Sequence, residues 1–137
     1  KLNIQMKAFA FRLVEDQPIK QSILDIVAQK HVAAGSVVSG VGCLKSIEIR
    51  LADETKTIQL NGPLEILTLA GTITPKHLHL HISVSDKDGH VFGGHLVEGV
   101  VFKTAEVCCV QYTELEFSRQ FDKQTGFTEL VVYEKVE

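Results

Sequence analysis

Residues 78–96 read LHLHISVSDKDGHVFGGHL, and this stretch decides the fold because it places two strand patterns around one turn. Apolar and polar residues alternate from Leu78 to Val84, which is the period of a half-buried β-strand. Asp86 to Gly89 is typical of a tight turn, and Gly89 suits a positive φ there. Val91–Gly94 starts the returning strand, so the stretch predicts an antiparallel hairpin.

Three histidines of this hairpin form a candidate metal site. Residues i and i+2 of a strand share one face, so His79 and His81 are expected side by side. His95 follows a Gly-Gly pair on the returning strand, which can bring a third imidazole to the first two. Three neutral imidazoles with one open position are typical of divalent-metal sites, above all zinc. We predict zinc or a similar divalent transition metal at His79, His81 and His95.

The same pattern has a plainer interpretation, in which the histidines are polar residues on the solvent face of a strand. His77 continues that face. We expect it to orient the ligands or to be solvated, with a fourth ligand as the alternative. His31 and His90 receive no role, because the first is expected at a helix end and the second lies in the turn.

The rest of the chain predicts one helix. Apolar residues recur at helical spacing from Pro18 to about His31, with Asp16 as the N-cap and Gly35 as the residue that ends the helix. Further strands are predicted at Met6–Val14, Ser36–Val41, Leu44–Leu51, Thr55–Leu60, Leu64–Ile73, Thr104–Tyr112 and Thr128–Val136.

The near-continuous apolar run of Thr104–Tyr112 predicts a central strand that is buried on both faces. The elements together predict the α+β class: residues 1–137 form a single compact domain, mostly an antiparallel sheet with one main helix packed on it.

Composition limits the classes of function. The chain has 137 residues, of which 45% are hydrophobic and 23% charged, enough for one domain with a real core. No apolar run approaches the ~20 residues of a membrane-spanning helix, and no signal-peptide block begins the chain. We therefore expect a cytoplasmic protein with no membrane partner. A net charge of −3 without a basic cluster argues against a dedicated binder of nucleic-acid backbones.

Three charged residues interrupt apolar runs, namely Glu65, Glu106 and Arg50. A buried charge is costly unless it is paired or binds a ligand. These side chains are therefore candidates to orient the imidazoles or to form an ion pair at a subunit interface. The alternative is that each lies on the exposed face of its strand.

A series of motifs then runs through the chain in order: Gly42–Leu51, Gly62–Thr72, Leu78–Asp86, Gly93–Leu96 and Thr104–Glu106. The series resembles the plants-and-prokaryotes conserved (PPC) domain family, over about Met6 to Tyr133. The three histidines and the lack of an AT-hook are similar to its prokaryotic single-domain branch. The resemblance implies a compact α+β domain that assembles as a homotrimer, with metal ligands at His79, His81 and His95.

Two hypotheses of function follow. The first is a metal-binding trimeric assembly module that is associated with DNA, with a DNA-binding protein or with another regulatory partner. The runs Val97–Phe102 and Thr104–Val110 are then expected to supply its apolar interface. The alternative is a small zinc-dependent enzyme of the hydrolase or lyase type. In that enzyme the metal would lower the pKa of its bound water to about 7, and Glu65 or Glu106 would act as general base.

Overall fold

The structure is a computed structural model that describes residues 5–135. Within that range it contains one helix and seven strands, in the order β1 (Met6–Val14), α1 (Ile19–Gln29), β2 (Gly35–Arg50), β3 (Thr57–Thr74), β4 (His77–Ser85), β5 (Val91–Tyr112), β6 (Leu115–Asp122) and β7 (Phe127–Glu134). The predicted α+β class, with a mostly antiparallel sheet and one helix, is confirmed. Over residues 5–135, the helix is too short to cross a membrane.

Five strands form one antiparallel sheet that closes partly on itself. The strand order is β1–β5–β2–β3–β4, and β4 also pairs with β5. Strands β2 to β5 therefore form a closed circuit, and the side chains buried by these strands and the helix form one core. Strands β6 and β7 form a separate hairpin.

The strand bounds differ from the prediction because the long strands bend where they were expected to end. The predicted strands Ser36–Val41 and Leu44–Leu51 are both parts of β2, whose pairing with β5 shifts register four times. At Gly42 the backbone φ is 150°, and the carbonyl oxygen of Thr104 lies where a Cβ would stand. Glycine thus permits a bend without a break. The predicted segments before and after Gly62 likewise merge into β3.

The helix buries Ile19, Ile23 and Val27 completely, as its apolar spacing predicts. The prediction that Gly35 ends this helix is wrong. The helix ends at Gln29, and His31 takes the positive φ of 54° just beyond it, so Gly35 is free to begin β2.

The predicted N-cap, Asp16, is also wrong. The residue before the helix is Pro18, which makes no side-chain capping bond. Instead, the carboxylate of Glu98 on β5 accepts hydrogen bonds from the backbone amides of Lys20 and Gln21, at 2.8 and 3.1 Å. A carboxylate at this end of a helix satisfies free amides and favours the helix dipole.

The segment Thr104–Tyr112 lies centrally, between β1 and β2, but it is not buried on both faces. Val107 and Cys109 are buried, whereas Glu106 and Cys108 are exposed. In this part of the chain the described elements cover one face of the strand only. The closing strand ends at Glu134, and Val136 of the prediction lies outside the described residues.

Candidate metal centre

Strand β4 presents histidines on one face and core residues on the other. Leu78, Leu80 and Ile82 are at most 2% exposed. His79 and His81 alternate with these residues and therefore share the opposite face. The buried leucines fix the register of the strand, because a slip by one residue would put imidazoles into the core.

The pairing of β4 with β5 brings the third histidine to this face, since His81 and His95 are direct cross-strand partners. The ring centroids lie 5.2 Å apart for His79 and His81, 5.3 Å for His79 and His95, and 6.2 Å for His81 and His95. One ring nitrogen from each lies within 4.8 Å of the others. The structure thus brings together the three predicted residues, and we refer to them as the histidine cluster.

A glycine next to His95 makes this approach possible. A Cβ on Gly94 would stand 2.6 Å from the carbonyl oxygen of Arg50 and 2.6 Å from a methyl carbon of Ile49, both on β2. Such distances are well inside van der Waals contact. Gly94 therefore lets β5 lie tightly against β2 next to His95.

The surroundings of the cluster favour the neutral form of two of its rings, those of His79 and His95. Burial, followed by repulsion from Arg50 and Lys20, lowers the pKa of His95 to about 4. Burial and then Arg119 lower the pKa of His79 as well. Both imidazoles are therefore unprotonated at pH 7, which is the form that binds a metal ion.

The residues fit a divalent transition metal by their donor chemistry. Nδ1 of His95 is buried and has no hydrogen-bond partner among residues 5–135. A buried polar atom without a partner is costly. Three imidazole donors match the ligand preference of zinc and related ions, and such an ion, when bound, can lower the pKa of a coordinated water.

The histidine cluster opens into a cavity of about 820 Å³. Its walls come from the end of β2 with the following loop, from β4 and β5, and from the β6–β7 hairpin. The lining residues are Arg50, Leu51, Ala52, Glu54, His77, His79, His81, Gly93, Gly94, His95, Arg119, Thr125, Phe127, Thr128 and Glu129.

The other predicted site residues divide between this cavity and the surface. Arg50 lines the cavity, and it lies directly opposite His95 in the antiparallel register of β2 and β5. His77 lines the cavity but lies outside the histidine cluster. Glu65 and Glu106 are exposed and do not line the cavity, because each alternates with buried neighbours on its strand. They do not touch the imidazoles, so the expectation that they orient these rings is wrong; a role at an interface stays a prediction.

The sequence interpretation missed Arg119 and Glu129, which reach the cavity from the β6–β7 hairpin. A signal for Arg119 was present. It lies at the strand spacing of Phe117 and Phe121, so it is a charge on an otherwise aromatic face. Arg50 had been singled out by a related argument, because it interrupts the apolar run Ile49–Leu51.

A second group of potential ligands, Asp86, Asp88 and His90, lies in the β4–β5 turn. Asp86 accepts hydrogen bonds from the backbone amides of Asp88 and His90, both at 2.9 Å. Its other carboxylate oxygen lies 3.2 Å from Nδ1 of His90. These bonds make the turn itself, which explains the grouping without an ion.

Comparison with known proteins identifies relatives over most of the chain. The sequence profile of the Plants and Prokaryotes Conserved (PCC) domain matches residues 3–113. The bifunctional protein GlmU of Synechococcus sp. strain JA-3-3Ab is 40% identical over 132 residues, which cover 96% of this chain and 21% of that protein. The chain thus spans about a fifth of the length of this curated relative.

Solved structures share the fold. The hypothetical protein from Salmonella enterica aligns with a TM-score of 0.92 at 29% identity, over 98% of this chain and 99% of its own. The metal-containing protein AF0104 from Archaeoglobus fulgidus aligns with a TM-score of 0.77 at 27% identity, over 96% of both chains. A candidate DNA-binding protein from Bacteroides thetaiotaomicron, at 20% identity, TM-score 0.81 and coverage of 93% and 96%, shows the shared fold alone.

Proposed function

Because the chain belongs to the Plants and Prokaryotes Conserved (PCC) domain family, we propose that it is a metal-binding assembly domain whose histidine cluster takes zinc or a similar divalent transition metal. One observation carries this proposal: three imidazoles on two paired strands offer ring nitrogens within 4.8 Å of one another. The metal-containing relative of the same fold supports it. The alternative of a zinc-dependent enzyme gains no support from the relatives.

Metal analysis of the purified protein tests the proposal. Inductively coupled plasma mass spectrometry should find about one zinc or similar ion per chain, as expected for one three-histidine centre. X-ray absorption of the loaded protein should report nitrogen ligands at zinc–nitrogen distances of about 2.0–2.1 Å. A protein that takes up no divalent ion after dialysis against zinc would contradict the proposal.

We also propose that the domain assembles as a homotrimer, as the family resemblance implies. The predicted interface runs contribute less than expected, since Val101 and Val107 are buried in the chain's own core. Exposed apolar residues lie instead on β2 and β3. Val41 is 59% exposed and Leu67 is 47% exposed. Because Gly42 pairs with Ile66 in the antiparallel β2–β3 register, Val41 and Leu67 are cross-strand neighbours.

Exposed apolar surface of this kind favours an interface. Glu106 lies opposite Val41 in the β2–β5 register, so its carboxylate would border the same contact. Light scattering after size exclusion should give three times the mass of one chain. Val41→Asp should reduce this mass, whereas Val91→Asp, at a valine 61% exposed beside the β4–β5 turn, should not. A wild-type monomer at micromolar concentration would refute the trimer.

Association with DNA is proposed through assembly or through a DNA-binding partner. The chain carries 14 lysines and arginines against 17 aspartates and glutamates. Binding of this chain to duplex DNA should therefore be weak and should fall steeply with salt. Fluorescence anisotropy at two salt concentrations measures it, and nanomolar binding at physiological salt would overturn this expectation.

A further inference from the structure

We propose that the cavity beside the histidine cluster binds a small molecule through its carboxylate or phosphate group, and that Arg119 and Arg50 recognise this group. The inference deepens the proposed function, and it rests on the proposed metal for part of the positive charge in the cavity. Arg119 lies outside the part of the chain that matches the family profile, because that match ends at residue 113.

The guanidinium of Arg119 is the strongest evidence. Its Nε and Nη2 atoms are buried and make no hydrogen bond within residues 5–135. Its remaining contact is a long bond of 3.4 Å from Nη1 to the carbonyl oxygen of Thr128. A buried charged donor without partners is costly. The free Nε–Nη2 edge is the one that binds carboxylate and phosphate groups through two parallel bonds.

Arg50, at the end of β2, supplies a second cation to the same cavity. It is half-buried, lines the same cavity, and lies across from His95. The described part of the chain offers neither arginine an acidic oxygen within 4.0 Å, although it contains ion pairs elsewhere, at Lys45. Two cationic side chains thus line one cavity without forming an ion pair within the described part of the chain.

The charge balance of the cavity also favours an anion. Its walls hold two arginines and two carboxylates, those of Glu54 and Glu129. These four charges cancel, so a bound divalent ion would leave the cavity positive.

The dimensions favour a small molecule. A volume of about 820 Å³ falls within the range of about 300–1,000 Å³ that is typical of small-ligand sites. Apolar surface from Phe127 and Leu51 lies beside the charged groups. Such a site can hold a compact ligand with one anionic end.

Isothermal titration with malonate, succinate and inorganic phosphate tests the inference on zinc-loaded and on metal-free protein. We expect at least one anion to bind, and to bind more tightly with zinc present. Arg119→Gln should weaken binding about 10- to 100-fold, the cost of losing charged hydrogen bonds. Arg50→Gln should also weaken it. The matched control is Arg12→Gln. Arg12 lies on β1, its guanidinium donates a hydrogen bond to the hydroxyl of Thr104, and it does not line the cavity.

The outcomes separate the two proposals. Zinc uptake without anion binding, or anion binding that Arg119→Gln and Arg50→Gln leave unchanged, overturns this inference while the metal centre stands. A protein that takes up no zinc refutes the proposed function. Titration of the metal-free protein then tests the inference separately: anion binding that Arg119→Gln weakens supports it, and the absence of anion binding overturns it. Displacement of the bound anion by a short DNA duplex would assign the arginines to a nucleic-acid backbone and overturn the small-molecule site.

Discussion

Two walls of the cavity, the β4–β5 wall and the β6–β7 hairpin, are built very differently. The β4–β5 wall carries the histidines on strands whose other faces are packed into the core, with Leu80 and Leu96 fully buried. The β6–β7 hairpin carries Arg119 and Glu129 on a two-stranded ribbon whose Phe121 and Val132 are more than half exposed. The first wall lies inside the matched family profile and the second lies beyond it.

This difference in packing indicates that the two walls have different roles. A rigid wall suits a metal centre, because ligand geometry must be held closely. A wall with few buried apolar contacts can change sequence with little loss of stability. We infer that the β4–β5 wall supplies the metal ligands and that Arg119 of the hairpin, together with Arg50 of β2, selects the anion.

The largest expected effect is on metal content. The double substitution His79→Ala/His81→Ala removes two of three donors on the rigid wall and should reduce bound zinc from about one ion per chain to nearly none. The fold should persist, because the core lies on the other face of β4. Elemental analysis and circular dichroism measure the two quantities. His31→Ala/His90→Ala is the control. An equal zinc content in the two double variants would show that the histidine cluster is not the metal site.

The second effect compares the stability of the walls. Leu80→Ala opens a cavity under the histidines and should lower the free energy of unfolding by about 2–5 kcal/mol. Leu130→Ala, at a leucine 39% exposed on the hairpin, should change it by about 0.5 kcal/mol or less. Urea denaturation measures both. Similar losses at the two positions would show that the hairpin is as firmly packed as the β4–β5 wall.

The third effect is a dependence of stability on pH in the metal-free protein. His95 has a pKa of about 4 in the folded chain, against 6.5 as its ordinary value. The unfolded chain therefore binds more protons between these values, and stability falls as the pH drops from about 6.5 towards 4. His95→Asn should flatten this slope, because it removes the titrating imidazole. Denaturation in urea at pH 7 and pH 4.5 gives the slope, and an unchanged slope in His95→Asn would contradict the assignment.

The smallest effect concerns repulsion between the walls. Arg119 lowers the pKa of His79 through its charge, and it repels a bound cation in the same way. Arg119→Gln should therefore strengthen zinc binding by a few-fold, roughly the size of a screened interaction near a surface. Competition with a zinc-binding dye measures this change. A strong loss of zinc affinity in this variant would mean that the hairpin helps to build the metal centre.

Much of the rigid wall could be predicted because its signals are local. The alternation around His79 and His81, the turn at Asp86–Gly89 and the returning strand with His95 lie within 19 consecutive residues. Bends were harder to predict. Gly42 resembles a strand end in the sequence, although in the structure it lets β2 continue.

The sequence by itself determined which face of each strand is apolar, because side-chain alternation is a property of the extended backbone. It thereby determined that His79 and His81 stand together. Only the tertiary structure decided what comes from elsewhere in the chain: the Glu98 carboxylate that caps the helix, and Arg119, which reaches the cavity from the β6–β7 hairpin. These contacts depend on how the sheet closes and where the hairpin rests, and no local periodicity encodes the distance between segments that are far apart in sequence.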